Sequence, residues 1–451
     1  MIQRRTGTSR ALVHRIVLPF QEFFRAESSS GLLLLACALA ALLWANSPWQ
    51  ESYFHLWETK LVLNAGSLRL AHSLAEWIND GLMAVFFFLV GLEIKREILV
   101  GELASPRKAA LPMAAAIGGM ALPAAIFLAF NHGTPQAGGW GIPMATDIAF
   151  ALGVLALAGD RVPPPLRVFL AALAIVDDLG AVLIIAVFYS AGIDTAALAG
   201  AGLVLLLLLA LNFLGVRRRA AYLALGVVLW LFFLKSGVHA TIAGVLLAAT
   251  IPARTRINVP EFTERARACL AEFENAGPRP DWARLNERQD AALVGLERAT
   301  DGVRSPLLQV EHGLVPWVAY GIMPLFALAN AGVAFTPDVL HALASPVVLG
   351  VALGLMIGKP LGIGALAWLA VRLGLASLPA GVTGRQMTGV GLLSGMGFTM
   401  SLFIADLAFP ATAALELTKV AVLGASLVVG LAGWLLLWSG PRARPALEGG
   451  A

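Results

Sequence analysis

"FLAALAIVDDLGAVLIIAVFY", residues 169–189, has the length and apolarity of a membrane-spanning helix, yet two adjacent carboxylates, Asp177 and Asp178, stand near its middle. Between 168 and 193 the only other ionisable side chain is Tyr189. One aspartate at a helix centre in hydrocarbon costs about 2.5–3.5 kcal/mol on insertion scales, and a pair roughly twice that. Ionisable residues kept inside spans at such cost mark transport pathways. The stretch therefore points to a membrane helix bundle whose interior carries charge for a purpose.

The rest of the chain agrees. Of 451 residues, 58% are hydrophobic and only 13% charged, and the mean hydropathy is +0.79; a soluble protein carries about 25% charged residues. The fold class is all-α and polytopic, with 46 glycines that suit closely packed spans. Lysines and arginines gather in particular loops, so the net charge of +4 calls for no nucleic-acid partner. Cys37 lies in an apolar segment and Cys269 in a charged one, and no disulfide is expected. Catalytic triads, phosphate loops and zinc-ligand spacings are absent, and no cofactor is expected.

Apolar runs long enough to cross ~30 Å begin near Gly31, Trp77, Ala109, Pro143, Leu166, Thr195, Ala220, Ser236, Val315, Pro346, Gln386 and Ala413, which makes twelve spans. Basic residues crowd the start of the chain, the second-to-third loop (Lys95, Arg96, Arg107, Lys108), Arg217–Arg219, the stretch 254–304 and the end of the chain. Those clusters fall on one side of a twelve-span chain, which places both termini in the cytoplasm. The predicted organisation is a tail over 1–30 that ends in a short helix on the lipid surface, eight spans over 31–253, a loop over 254–312, four spans over 313–439 and a tail over 440–451. No cleavable signal peptide is read at the start. "KLVLNAGSLRL", 60–70, alternates around Asn-Ala-Gly-Ser and predicts a β-hairpin on the outer face. Two strands alone are marginal, so the hairpin is expected to pair with a second copy, giving a homodimer. The 254–312 stretch, with a helical face at Leu285, Ala292, Leu293 and Leu296, reads as a solvated cytoplasmic loop in preference to the alternative, a regulatory module.

Setting the span ends aside, the ionisable residues within spans are Asp80, Asp147, Asp177, Asp178 and Lys359, with His239 near the start of the eighth span and Asp406 late in the eleventh. The plain alternative for one such residue is a structural ion pair or a snorkelling helix end; for the set it is weak. Asp147 comes in "WGIPMATDIAF", 140–150, where Gly141, Pro143 and Thr146 read as a broken helix. A second break appears in "SGMGFTMS", 394–401, at Gly395 and Gly397. Broken backbone within a bilayer is tolerated only where protein or a water cavity satisfies it. Spans 3–5 start inside and spans 10–12 outside, each with its middle member broken. That is the pattern of an inverted repeat with two discontinuous crossing helices. Asp147 is placed to offset the facing half-helix N-termini, and Lys359 the C-termini.

Neighbours on a helix diverge by ~100°, so one of Asp177 and Asp178 can face a cavity while the other meets Lys359. Carboxylate oxygens with the hydroxyl of Thr146 suit a hard cation. A buried carboxyl beside a second acid can hold either a proton or a cation near neutral pH. Exclusive occupancy by one or the other is the minimal machinery of antiport.

"WINDGLMAVFFFLVGLEIKRE", "IPMATDIAFALGVLAL", "ALAIVDDLGA", "LKSGVHATIAG", "PLFALANAG", "IGKPLGI" and "GMGFTMSLFIA" together resemble the NhaA family of bacterial sodium/proton antiporters, from about Ser30 to the last span with the long insertion excepted. The resemblance implies a transporter rather than an enzyme, in the bacterial inner membrane. It implies that sodium or lithium is exported while more protons than cations enter, under pH regulation. It assigns Asp178 to ion and proton binding, Asp177 to pairing with Lys359, and Asp147 and Thr146 to the broken helix. Asp80 takes the place of the periplasmic funnel acid. Glu93, Glu97 and Glu311 match the cytoplasmic funnel linked to the pH response, and His239 a histidine linked to pH dependence. Three features depart from the family: Leu308 and Gln309 stand where bases are usual, residues 254–304 are longer, and Asp406 replaces a small polar residue. Rival readings are another proton-coupled cation transporter and an intramembrane aspartic protease. The protease reading needs acids on separate helices in "YD" and "GxGD" settings, and the chain has neither.

Overall fold

A computed structural model describes residues 30–440 apart from 66–67, 191, 278–284, 380 and 411. Both predicted tails fall outside the described residues, save Ser30 and Gly440. The described chain is mostly helical with one two-stranded sheet. In order come α1 (Ser30–Ala45) and α2 (Gln50–Glu58), bent by 114° at their junction, and then strands β1 (Lys60–Ala65) and β2 (Leu68–Ser73). A π-helical turn, Trp77–Leu82, leads into α3 (Met83–Val100), followed by α4 (Pro106–Asn131). A 3-10 helix, Pro135–Met144, meets α5 (Ile148–Leu157) at 42°. Next are α6 (Pro164–Phe188), α7 (Thr195–Phe213), α8 (Arg219–Ser236), α9 (Ile242–Thr250), α10 (Val259–Asn275) and α11 (Glu287–Val303). The chain continues with α12 (Pro306–Asn330) and α13 (Pro346–Arg372). It finishes with α14 (Gly384–Ser394), α15 (Phe398–Ala408) and α16 (Ala413–Trp438).

Among the described residues, eight helices are long and apolar enough to cross a membrane, with α14–α15 taken as one, or up to ten if each bent pair is one span. The other two predicted runs became α3, which carries Glu93, Lys95, Arg96 and Glu97, and α9, which is nine residues long. Burial sorts the spans. In α6, 67% of the apolar window is buried, and across α14–α15 83%, against 11% in α7. The helices with charged or broken centres thus lie inside, where protein can satisfy them, and the uniformly apolar α7 lies outside.

Small residues draw the inner helices together. At the α4–α13 crossing, a Cβ added to Gly118 or to Gly362 would sit 2.0–2.1 Å from the other's carbonyl oxygen, so only glycine fits. Lys359 lies one turn before Gly362, and this contact fixes its height in the bundle. Immediately before it, the π-helical turn Gly354–Gly358 rotates the lysine relative to a regular helix.

The strands pair antiparallel from Lys60↔Ser73 to Ala65↔Leu68. Trp77 Nε1 donates to Leu61 O at 3.2 Å and ties the hairpin to the start of the Trp77–Val100 segment. The 254–312 stretch holds more structure than its sequence suggests: α10 and α11 pack side by side. Ala292 and Ala299 are buried, but Leu293, expected on the buried face, is 37% exposed. The stripe follows the small residues because Gly295 approaches Cys269 on α10 so closely that a Cβ there would lie 2.9 Å from Sγ.

Candidate functional site

The two broken elements cross in the interior and satisfy each other's free backbone. Asp147 N donates to Met396 O at 2.8 Å. Thr146 Oγ1 lies 2.8 Å from Ser394 O, at the C-terminal end of α14, and 2.6 Å from Asp177 Oδ2, so its single proton is shared between two acceptors. Ser401 Oγ donates to Ile142 O at 2.8 Å, within the 3-10 helix. Gly395 is required here, because a Cβ would lie 2.5 Å from Leu355 O. Helix α14 stops at Ser394 and α15 starts at Phe398, so both Gly395 and Gly397 lie in the break.

Asp147 stands at two helix N-termini at once. It caps α5 by accepting from Phe150 N at 3.0 Å, and its Oδ2 accepts from the amide of Thr399 at 3.1 Å and from the Thr399 hydroxyl. Free N–H groups and the helix dipole make such termini favourable to an anion. At the opposite ends, Lys359 Nζ donates to Met144 O, the last residue of the 3-10 helix, where a cation is favoured.

Asp177 and Asp178 diverge as neighbours on α6 must. Asp177 Oδ2 accepts from Lys359 Nζ at 2.6 Å and from Thr146 Oγ1 at 2.6 Å. Both side chains of the Asp177–Lys359 pair are fully buried. Asp178 is 2% exposed, and its Oδ1, like Asp177 Oδ1, is buried without a hydrogen-bond partner. Asp147, Glu93 and Lys359 act on Asp178 electrostatically beyond Asp177 itself. The geometry thus gathers four of the sequence candidates, Thr146, Asp147, Asp177 and Lys359, into one hydrogen-bonded crossing, with Asp178 beside it.

The remaining candidates fall into two further groups. Glu93 and Glu311 are both buried, at 7% and 2% exposure. Arg96 joins this group, with Nη1 on Glu311 Oε1 and Nη2 3.3 Å from Glu97 Oε1. Sequence reasoning counted Arg96 only among loop cations; its place one helical turn after Glu93 was the available signal. On the hairpin's side, a cavity of about 700 Å³ is lined by Asp80, His239 and Asp406, among others. His239 Nδ1 lies 3.8 Å from Asp80 Oδ1, a proximity that sequence did not disclose. Asp406 Oδ2 accepts from Asn79 Nδ2 at 3.0 Å, and Asn79 also exchanges hydrogen bonds with Asn330. Asn79 and Asn330 were missed, since an asparagine pair 251 residues apart leaves no local pattern. Thr399, just past the break in "SGMGFTMS", is the residue that holds Asp147 through its amide and hydroxyl.

Residues 21–437 match the family model described as Na+/H+ antiporter 1. The chain is 51% identical over 433 residues to the Na(+)/H(+) antiporter NhaA of Oleidesulfovibrio alaskensis, covering 96% of each chain. It is 49% identical over 435 residues to the Na(+)/H(+) antiporter NhaA of Koribacter versatilis, covering 95% of this chain and 93% of that one. With the Na(+)/H(+) antiporter NhaA 2 of Syntrophotalea carbinolica it shares 50% identity over 420 residues, or 93% and 96% of the two chains. A match across nearly the whole length, on a bundle of apolar helices with buried carboxylates at its crossing, establishes the family: the chain belongs to the Na+/H+ antiporter 1 family of multi-pass membrane transporters.

Proposed function

We propose that this chain is an electrogenic secondary antiporter of the bacterial inner membrane, exporting sodium or lithium while a larger number of protons enters. The observation that carries this reading is the pair of buried carboxylate oxygens, Asp178 Oδ1 and Asp177 Oδ1, that no protein donor reaches. An unsatisfied buried acceptor costs about 1–3 kcal/mol, and more when charged. A proton or a hard cation relieves that cost, and one excludes the other. Asp178 is the direct ligand, with Asp177 and the Thr146 hydroxyl completing an oxygen site suited to sodium. When a cation draws Asp177 away from Lys359, the lysine is left without its counter-charge and can release a proton. This provides a second carrier and a net charge movement.

The bundle is read as twelve spans with both termini cytoplasmic. Spans 3–5 and 10–12 form an inverted repeat around the crossing, and alternating access rocks one bundle against the other. Asp80 and His239 belong to the outer funnel, and Glu93, Glu97 and Glu311 to the inner one that sets the pH response. Sodium-induced collapse of an acid-inside pH gradient in inverted vesicles, measured across pH, tests the reading. A gradient that sodium leaves intact at every pH overturns it. Relief of the membrane potential with a potassium ionophore should change the rate; indifference to potential overturns the electrogenic part.

The hairpin is read as the dimer contact, supported by Leu61, Val62 and Leu63 of β1, which are 41–49% exposed on an edge strand. Deleting residues 61–70 should give a monomer that still exchanges ions, as seen by light scattering in detergent and by the vesicle assay. Total loss of exchange in normally inserted protein would count against placing the hairpin outside the pathway.

A further inference from the structure

Asp406, which stands where a small polar residue is usual, shares a helix with Thr399, the residue that holds Asp147. Moving away from the crossing, α15 carries Thr399, Phe403 and Asp406 at spacings of four and three, hence on one face. Asp406 Oδ2 accepts from Asn79 Nδ2 at 3.0 Å. Asn79 is bound in turn to Asn330, whose Nδ2 donates to Asn79 Oδ1 and to Phe326 O, both at 3.0 Å. Lys419 acts on Asp406 electrostatically, but its Nζ lies 3.2 Å from Glu416 Oε1. Beneath this polar layer is an aromatic one. The Phe403 ring lies 5.5 Å from that of Phe87 and 6.2 Å from that of Phe326, and all three are buried. Phe326 is one turn before Asn330 on α12, and Phe87, on α3, comes eight residues after Asn79. The same three segments therefore supply both layers. The cavity of about 700 Å³ on the hairpin's side is lined by Asn79, Asn330 and Asp406 but by no residue of the crossing.

We propose that Asp406 is a positioning residue of the transport path. Its hydrogen bond to Asn79 clasps α15 to the Trp77–Leu82 turn and to α12 over the phenylalanine layer, and the cation leaves outward only when that clasp parts. Helix α15 belongs to the repeat that carries the crossing, whereas Asn79 and Asn330 lie on spans outside both halves of it. When one bundle rocks against the other, distances within each hold and distances across their boundary change. The Asp406–Asn79 bond spans that boundary. A carboxylate accepting from an amide makes a stronger tie than two neutral partners. A serine side chain ends one bond short of the aspartate oxygens, so a small polar residue at 406 leaves Asn79 unreached. The departure at this position thus gives the chain an outer side that is held shut more firmly while the cation loads from within.

The inference rests on the alternating-access reading, and its test needs neither sodium nor transport. The chain's two cysteines, Cys37 and Cys269, are replaced by serine. A reporter thiol is placed by Val182→Cys, on α6 one turn beyond Asp178, in a small pocket shared with Phe87. The probe is a membrane-impermeant trimethylammonium methanethiosulfonate, applied to the outside of right-side-out vesicles. Asp406→Ser should speed its labelling about tenfold, the scale of one charge-assisted hydrogen bond. Asp406→Asn still accepts from Asn79 and should stay within about twofold of the unaltered background. Asn79→Ala should match Asp406→Ser, and the two together should add little to either, because they remove one bond. Ile185→Cys, in the same pocket, repeats each comparison with an independent reporter. Labelling that Asp406→Ser leaves unmoved at both reporters overturns the clasp. Asp406→Asn labelling as fast as Asp406→Ser overturns it too, in favour of a carboxylate that acts on the cavity by charge alone. Simple additivity with Asn79→Ala does the same. Unchanged labelling in a chain that exchanges sodium for protons removes the clasp and leaves antiport standing. Labelling that depends on Asp406 in a chain that moves no sodium removes antiport and leaves the clasp.

Discussion

Asp178→Asn abolishes sodium-dependent proton release while the protein remains folded and inserted. Asparagine keeps the volume and planar shape of the side chain, so packing on α6 is undisturbed. It removes the charge that a cation needs and the site that a proton would take. The buried oxygen at this position has no donor in the protein, so the neutral amide leaves no ion pair broken, and stability should hold or rise. The measurement is proton release from purified protein on sodium addition, alongside the vesicle assay and a melting curve. Appreciable release from the variant transfers the ligand role to another group, with Asp177 the first candidate.

Lys359→Ala gives the largest structural effect. The ammonium is fully buried and holds Asp177 Oδ2 and Met144 O together. Its loss leaves Asp177 with only Thr146 as donor and leaves the 3-10 helix end without its cation. Removing one partner of a buried pair costs roughly 3–5 kcal/mol, enough to lower the melting temperature markedly and impair turnover. The double change Asp177→Asn with Lys359→Gln should recover much of that stability, because two neutral amides can hydrogen-bond in place of the two charges. A cycle in which the two effects simply add would contradict direct pairing, since residues in contact are expected to couple by 0.5–3 kcal/mol, as an order of magnitude.

Hydropathy, glycine and proline are local properties, and what depended on them could be read directly. The sequence determined that the chain is a bundle of apolar helices, that the backbone breaks near Thr146–Asp147 and near Gly395–Gly397, and that carboxylates sit inside. It could determine these because the cost of a charge or an open backbone in hydrocarbon does not depend on which neighbour relieves it. Choosing the neighbour was another matter. That Asp177 rather than Asp178 reaches Lys359 depends on the rotation of α6, and on the π-helical turn Gly354–Gly358 that turns the lysine. Neither is written in a hydrophobic period. Arg96 with Glu311, 215 positions apart, Asp80 with His239, and Asp147 with Thr399 are pairings fixed by where whole helices cross. The α4–α13 crossing in turn depends on Gly118 and Gly362 meeting face to face. In the 254–312 stretch, the charged surface looked like a solvated loop because the buried stripe of α11 is one glutamine with alanine and glycine. Those residues carry little hydrophobic signal, and it took the second helix to show that they were a packing face.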